Sequence, residues 1–242
     1  MINAEDVCIV IPIYKDNGLK NPILYDEYAS IKNTLSVLSE YDVYFLCNSS
    51  LDTSFYDQFI NDNVKYIYYE YTNRDEYSNM CLSYKFYDMF SKYKYMLICQ
   101  TDAWVFKDEL LYWCNRGYDY IGALGLFSEI RPYLLGNWGD ENVGNINDYK
   151  YLVMNGGFSL RKVKAMYDLC YRHKDELEKV TFNEDCVLFW NYVSEMYIPP
   201  REEAIAFSAE NQTYAFYPSY CKHLPFGCHT RKTKQRLLDI FK

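Results

Sequence analysis

Apolar residues fall in short continuous runs along the first hundred residues, and the stretches between those runs are amphipathic. Residues 7–13 form an apolar, β-branched run. After it Leu24, Tyr28, Ile31, Leu35 and Leu38 recur at three- and four-residue steps, the period of a helix with one apolar face. Residues 43–47 and 64–69 repeat the strand pattern. The spacing predicts a short helix over about 53–61 and a longer one over 76–91. Residues 95–99 are apolar throughout, as a fully buried strand requires. Four strands separated by helices predict an α/β fold with a mostly parallel central sheet and right-handed crossovers.

The second half is less periodic. Tyr118-Asp-Tyr-Ile-Gly-Ala123 reads as a short strand, and residues 128–148, rich in Gly, Asn and Asp with Pro132 and Trp138, read as a long loop. No repeat, low-complexity tract or linker interrupts the chain. Its 242 residues are enough to bury a core, so the expectation is one domain over 7–230 followed by a basic tail, 231–242.

Charge narrows the partners. A net charge of −8 argues against nucleic acid, whose phosphates need a basic face. The tail is the exception: Arg231, Lys232, Lys234, Arg236 and Lys242 stand against Asp239, beside Leu237, Leu238, Ile240 and Phe241. It is either a basic amphipathic end for an anionic membrane or a terminal helix packing its apolar side on the body. Nine cysteines lie scattered without a CxxC pair, several inside apolar runs (Cys8, Cys47, Cys99), a pattern of free thiols in a reducing compartment. Cys221, Cys228 and His229 fit no structural zinc spacing. The N-terminus is acidic and the first apolar run too short to span a bilayer. The expectation is a cytoplasmic protein, peripheral to the membrane at most. The 28 tyrosines suit a surface or cleft that meets sugars and nucleobases, or reflect compositional drift.

Four places carry candidate chemistry. The buried run ends abruptly on Gln100-Thr101-Asp102. In open α/β sheets ligands bind beyond the carboxyl ends of the strands, so Asp102 is placed for a metal or ribose; an Asp there also caps turns. Met154-Asn155-Gly156-Gly157 holds paired glycines that permit close approach of a ligand and unusual dihedrals. Asn183-Glu184-Asp185 precedes an apolar helix start, where carboxylates also serve as caps and stay ionised. Last comes Pro225-Phe226-Gly227-Cys228-His229.

The order of these motifs resembles a GT-A-type glycosyltransferase. More narrowly, Gln-Thr-Asp-Ala-Trp (100–104), Tyr-Asp-Tyr-Ile-Gly-Ala (118–123), Asn-Gly-Gly-Phe-Ser-Leu-Arg (155–161), Asn-Glu-Asp (183–185), Ala-Phe-Ser-Ala-Glu (206–210) and Pro-Phe-Gly-Cys-His (225–229) are similar to the DUF5672 family. The likeness covers roughly residues 7–230. It implies a GT-A fold, a nucleotide-sugar donor with UDP favoured, a glycan or glycoconjugate acceptor of the kind met in polysaccharide biosynthesis, and Mn²⁺ or Mg²⁺ as cofactor. It also implies Asp102 and His229 as metal ligands; in one alignment Trp104 replaces the second carboxylate of the usual metal motif. Such a mixed site suits Mn²⁺ and tolerates Mg²⁺.

For catalysis the resemblance implies Asp185 as general base, with Glu184 as the close alternative or an acceptor contact. No residue stands out as a covalent nucleophile, so the expectation is inversion. For the donor it implies Pro12, Tyr14 and Lys15 after the first strand, Asn48 after the second, and Arg74 and Lys85 toward phosphate. Gln100 and Thr101 join them beside Asp102, and Asn155, Gly156 and Gly157 lie along the donor sugar or acceptor. Trp138 is a candidate acceptor platform. Two other classes compete. A nucleotidyltransferase needs a glycine-rich basic loop after the first strand, but residues 14–20 hold one glycine, Gly18. A non-catalytic sugar binder on the same fold would tolerate loss of Asp185.

Overall fold

The computed structural model describes residues 1–14, 22–124, 154–210 and 222–242. Lys15, Trp138 and Cys221 lie outside the described residues.

The predicted alternation is present. Strands β1 (Val7–Pro12), β2 (Asp42–Cys47), β3 (Val64–Tyr68) and β4 (Tyr95–Cys99) pair in parallel in the order β3-β2-β1-β4. β6 (Tyr120–Leu124) and β7 (Met154–Lys162) complete a six-stranded sheet, β3-β2-β1-β4-β7-β6. β7 runs against both neighbours, so it alone opposes the common direction. A second sheet is made of three two-residue strands in the order β5 (Trp104–Val105), β9 (Gly227–Cys228), β8 (Ser208–Ala209).

Alternation within the strands divides the core in two. Val7, Ile9 and Ile11 face one apolar cluster together with Ile31 and Leu38 from the side of helix α1 (Pro22–Val37) and with Leu110, Trp113 and Cys114 of α4 (Leu110–Asn115). Cys8 and Val10 face the other, shared with α2 (Arg74–Cys81), α3 (Tyr84–Asp88), α5 (Val163–Arg172) and the later α7 (Glu184–Tyr192). Strands covered on both faces need apolar residues at every position, which is why these runs were continuous rather than alternating. The short α6 (Lys174–Leu177), α8 (Arg201–Phe207) and the terminal α9 (Arg231–Ile240) complete the helices.

Three local expectations change. The helix expected over 76–91 is two helices, α2 and α3, broken at Leu82-Ser83. Asn73 caps the first by accepting from the Glu76 amide (3.0 Å), and Ser83 caps the second by accepting from the Lys85 amide (3.3 Å). The helix expected over 53–61 is a single 3₁₀ turn, Asp57–Phe59. The Gly156-Gly157 segment is the middle of strand β7, and neither glycine takes a positive φ; among the described glycines that conformation belongs to Gly117. The tyrosines also divide: Tyr14, Tyr112 and Tyr171 are exposed, whereas Tyr71, Tyr87, Tyr95 and Tyr120 belong to the core. The eight described cysteines are all buried and free.

Candidate active site

β4 and the small sheet bring together residues more than a hundred positions apart. The Gln100 amide donates to Gly157 O (2.8 Å), extending the β4–β7 ladder by one step. Trp104 pairs with Cys228, and Cys228 with Ala209, so Asp102, His229 and Glu210 gather at one end of the small sheet. The His229 ring is held at both nitrogens. Nδ1 lies 3.0 Å from Glu210 Oε1, and Nε2 lies 3.1 Å from Asp102 Oδ1 and 3.0 Å from Gln100 Oε1. Burial opposes a charge on the ring, but the hydrogen bonds to Asp102 and Glu210 outweigh it and push its pKa up to about 10. Next in sequence, Thr230 takes φ 72°, strained for a β-branched residue, and its hydroxyl accepts from the Thr233 amide to start α9.

Among the described residues no group of three or more His, Cys, Asp or Glu side chains is gathered to hold a metal ion unaided. The pair Asp102–His229 nonetheless fits Mn²⁺ or Mg²⁺ in kind. Two oxygens, Asp102 Oδ1 and Gln100 Oε1, converge on Nε2, so one carboxylate and one imidazole nitrogen face each other across 3.1 Å. A divalent cation there would be held by one carboxylate and one imidazole from the protein, oxygen and nitrogen donors of the kind Mn²⁺ accepts and Mg²⁺ tolerates.

The acidic pair divides its work. Glu184 is buried, with Oε1 3.1 Å from Arg161 Nη2 and Oε2 accepting from Ser78 Oγ (3.3 Å). Arg161 is wholly buried on β7 and spends its other donors on Ser159 Oγ (3.1 Å) and Tyr87 Oη (3.0 Å), with Tyr120 beneath its guanidinium. A residue so enclosed is a poor choice for a base that must meet an acceptor. Asp185 is half-buried; its Oδ1 accepts from the Cys186 amide (2.7 Å) and its Oδ2 from the Gly156 amide (3.3 Å). The expectation that the helix end keeps it ionised is corrected. Loss of solvent first, then the Glu184 charge, raise its pKa to about 7, more than the two amides lower it. Asn183 occupies the N-cap position of α7 without a capping side-chain bond.

The paired glycines are explained by these neighbours. A Cβ on Gly156 would overlap Glu184 Oε1 and sit 2.9 Å from Arg161 Nη2, and one on Gly157 would sit 2.6 Å from His229 Cε1. β7 therefore seats both the acidic pair and the imidazole against bare backbone.

A cavity of about 540 Å³ opens at the carboxyl ends of β1, β2 and β3, lined by Pro12, Tyr14, Asn48, Arg74 and Gln100 among others. It lies by the switch point between β1 and β4, where strand order reverses. Asn48 lines it with a side chain already spent: its amide donates to Glu70 Oε2 and Tyr71 O (3.1 Å each), and its oxygen accepts twice from Ser50. It shapes the loop rather than offering a free amide. Arg74 forms no ion pair among the described residues, and its charge reaches Cys186 on the first turn of α7. Gln100 belongs to both the cavity and the His229 cluster.

Other sequence candidates fall outside this grouping. Lys85 is exposed on α3 and does not line the cavity. Thr101 is buried, its hydroxyl without a partner among the described residues. Asn155 is half-buried and accepts from the Gly157 amide (2.6 Å), bracing β7. Sequence reasoning gave no role to Arg161, Glu210 or Tyr71, whose hydroxyl reaches Ile13 O (3.1 Å) and Leu46 O (2.9 Å). Arg161 and Glu210 each end a recognised motif, which was the available signal.

The profile of a family described as a protein of unknown function, DUF5672, matches residues 61–229. The chain belongs to the DUF5672 family. No curated protein matches this DUF5672 chain. Solved structures share its fold. The apo form of mouse xyloside xylosyltransferase 1 superposes with a TM-score of 0.54 at 10% identity, covering 93% of this chain and 97% of that one. An active-site mutant of LgtC gives 0.56 at 13%, covering 93% and 87%. The apo glycosyltransferase GlyE of Streptococcus pneumoniae TIGR4 gives 0.50 at 14%; 92% of this chain matches 53% of that longer one. At these identities the likeness establishes the fold: this DUF5672 protein has the GT-A architecture of glycosyltransferases.

Proposed function

We propose that the protein is a metal-dependent, inverting glycosyltransferase that moves a sugar from a nucleotide-sugar donor, UDP-sugar favoured, to a glycan or glycoconjugate acceptor. The observation that carries this reading is Gln100, which joins a nucleotide-sized cavity at the strand ends to the Asp102–His229 pair. Tyr14 offers an exposed ring to the base or ribose, and Arg74, which forms no ion pair among the described residues, a guanidinium to the diphosphate. Asp102 and His229 would hold Mn²⁺ or Mg²⁺, which as a Lewis acid neutralises the charge developing on the departing diphosphate.

Asp185 takes the acceptor's hydroxyl proton. The acceptor oxygen then bonds to the anomeric carbon as the bond from that carbon to the phosphate oxygen breaks. A pKa near 7 suits this task, because an effective base balances ionised fraction against proton affinity at the working pH. The exposed Arg231, Lys232 and Arg236 on α9 form the face proposed to touch an anionic membrane, and none of the described helices is long and apolar enough to cross one.

The test is a thermal-shift and hydrolysis screen of UDP-, GDP-, CMP- and dTDP-sugars with and without Mn²⁺, run beside Asp185→Asn. The expected result is a stabilising shift and slow donor hydrolysis with UDP-sugar and Mn²⁺. Once an acceptor is found, Asp185→Asn should bind donor normally while transfer falls by about 10²–10⁴-fold. Pyrophosphate release from a nucleoside triphosphate and a sugar phosphate would instead identify a nucleotidyltransferase. Sugar binding indifferent to Asp185→Asn would identify a binding protein.

A further inference from the structure

The motif Ala-Phe-Ser-Ala-Glu (206–210) ends on a carboxylate to which the proposed reaction assigns nothing. β8 and β9 pair in parallel, Ser208 with Gly227 and Ala209 with Cys228, and the His229 amide adds one more rung to Ala209 O (3.0 Å). Glu210 and His229 are therefore the next residues along two paired strands, and their side chains meet, Oε1 to Nδ1 at 3.0 Å. Both side chains are nearly enclosed, at 13% and 12% exposed. Just before β8 and β9 in sequence, Phe207 and Phe226 pack with Phe158 of β7, ring centres 5.3–5.5 Å apart, fixing the small sheet to β7. Gly157 lies close against the ring, where a Cβ would sit 2.6 Å from Cε1.

We infer that Glu210 is a positioning residue that holds His229 by Nδ1, so that Nε2 is the nitrogen presented beside Asp102 to a divalent cation. The inference rests on the proposed metal role of Asp102 and His229. A neutral imidazole carries one donor and one acceptor nitrogen, and the hydrogen bond at one decides the role of the other. With Asp102 engaged by the cation, Glu210 would be the carboxylate left on the ring; it would favour the Nδ1–H form, orient the ring and strengthen Nε2 as a ligand, and such partners are worth about 10–100-fold in metal affinity. Gln100 Oε1, the other group on Nε2, is neutral and cannot set the tautomer in this way.

The experiment measures Mn²⁺ binding to the full chain by electron paramagnetic resonance of the free ion, alone and with UDP as probe nucleotide. The proteins are the wild type, Asp102→Ala, Glu210→Ala and Glu210→Gln. The expected result is loss of binding in Asp102→Ala, a Kd raised about 10–100-fold in Glu210→Ala, and a smaller rise in Glu210→Gln, which still accepts from Nδ1–H but lacks the charge. Glu210→Gln carries the test if Glu210→Ala does not fold. A second readout is ring ¹⁵N shifts with Mg²⁺, simple in a chain with three histidines. The wild type should show His229 protonated at Nδ1 alone, and Glu210→Ala should lose that preference, a change that a merely structural glutamate would not produce. No binding by the wild type would overturn the metal reading and this inference with it. Wild-type binding that Asp102→Ala abolishes but both Glu210 variants keep within twofold would overturn this inference alone. Loss in Glu210→Gln as complete as in Asp102→Ala would also overturn it, by making Glu210 a ligand.

Discussion

The two halves of the central sheet are held together by different physics. From β3 to β4 the strands are parallel, and β1 and β4 are buried at every position, while the edge strand β3 is covered only in part, with Lys65 and Tyr68 exposed. Toward the other edge, between β4 and β6, β7 runs backwards and carries Arg161, the largest fully buried side chain, whose charge is balanced by Glu184 and shared with Ser159, Tyr87 and Tyr120. The first half is a scaffold with a cavity at its edge. The second is a polar lattice that fixes Glu184 and, one residue on, Asp185. A scaffold of apolar contacts tolerates small changes of shape, whereas a buried ion pair does not tolerate the loss of one charge, because the other is left without a partner.

The largest expected effect follows from that contrast. Glu184→Gln keeps size and hydrogen-bonding atoms but leaves the Arg161 guanidinium uncompensated in the interior, a loss on the order of 3 kcal/mol. Ile9→Val, a conservative swap at a fully buried position of β1, should cost only about 0.5–1.5 kcal/mol. Urea unfolding of both variants measures the difference. Equal losses would erase the distinction between the halves, and a folded Glu184→Gln with normal stability would show that Arg161 finds its balance elsewhere.

A smaller effect probes where the halves touch. Gly157→Ala would place a methyl group against the His229 ring, which is closed in by Asp102 and Glu210 and cannot simply turn away. Overpacking of this kind costs about 1–3 kcal/mol. It should also weaken Mn²⁺ binding, since the ring moves before the backbone does. Unchanged stability together with unchanged metal affinity would mean that the glycine is not there to seat the imidazole.

The halves also differ in what the sequence discloses, for the same physical reason. β1 through β4 are written as local patterns: a buried parallel strand is a continuous apolar run, and α1 shows its helical period from Leu24 to Leu38. β5, β8 and β9 hold two residues each and carry no period at all. Their pairing joins Trp104, Ala209 and Cys228, and nothing local to any of the three announces the others. β7 was hidden by its own glycines, which suggest a turn until Glu184 and His229 are seen pressed against them. Glu184 and Asp185 look equivalent in the sequence. Only the buried position of Arg161, itself a residue type expected on surfaces, assigns one to the interior and leaves the other beside Gly156. The break between α2 and α3 was legible in retrospect, since Ser83 is a good capping residue, but the apolar period runs through it.

The smallest effect concerns how Asp185 shares the fold with its neighbours, and its sign separates a functional carboxylate from a structural one. Its pKa is raised from the usual 3.8 to about 7, by loss of solvent first and then by the charges of Glu184 and Glu210. A carboxyl group whose pKa is higher in the folded protein binds more protons there than in the unfolded chain. Between those two values stability therefore falls as pH rises, and above about 7 the full penalty is present. Asp185→Asn removes the charge and the penalty with it. Its melting temperature should exceed the wild type's by a few degrees at pH 8, and the gain should shrink toward zero as pH falls to about 4, where the wild-type carboxyl is protonated in both states. Wild-type transfer should rise with pH through about 7 as the base ionises, so activity and stability move in opposite directions across one interval. If Asp185→Asn is less stable than the wild type at pH 8, Asp185 belongs with Glu184 in the lattice, and the site has no carboxylate held poised for proton transfer.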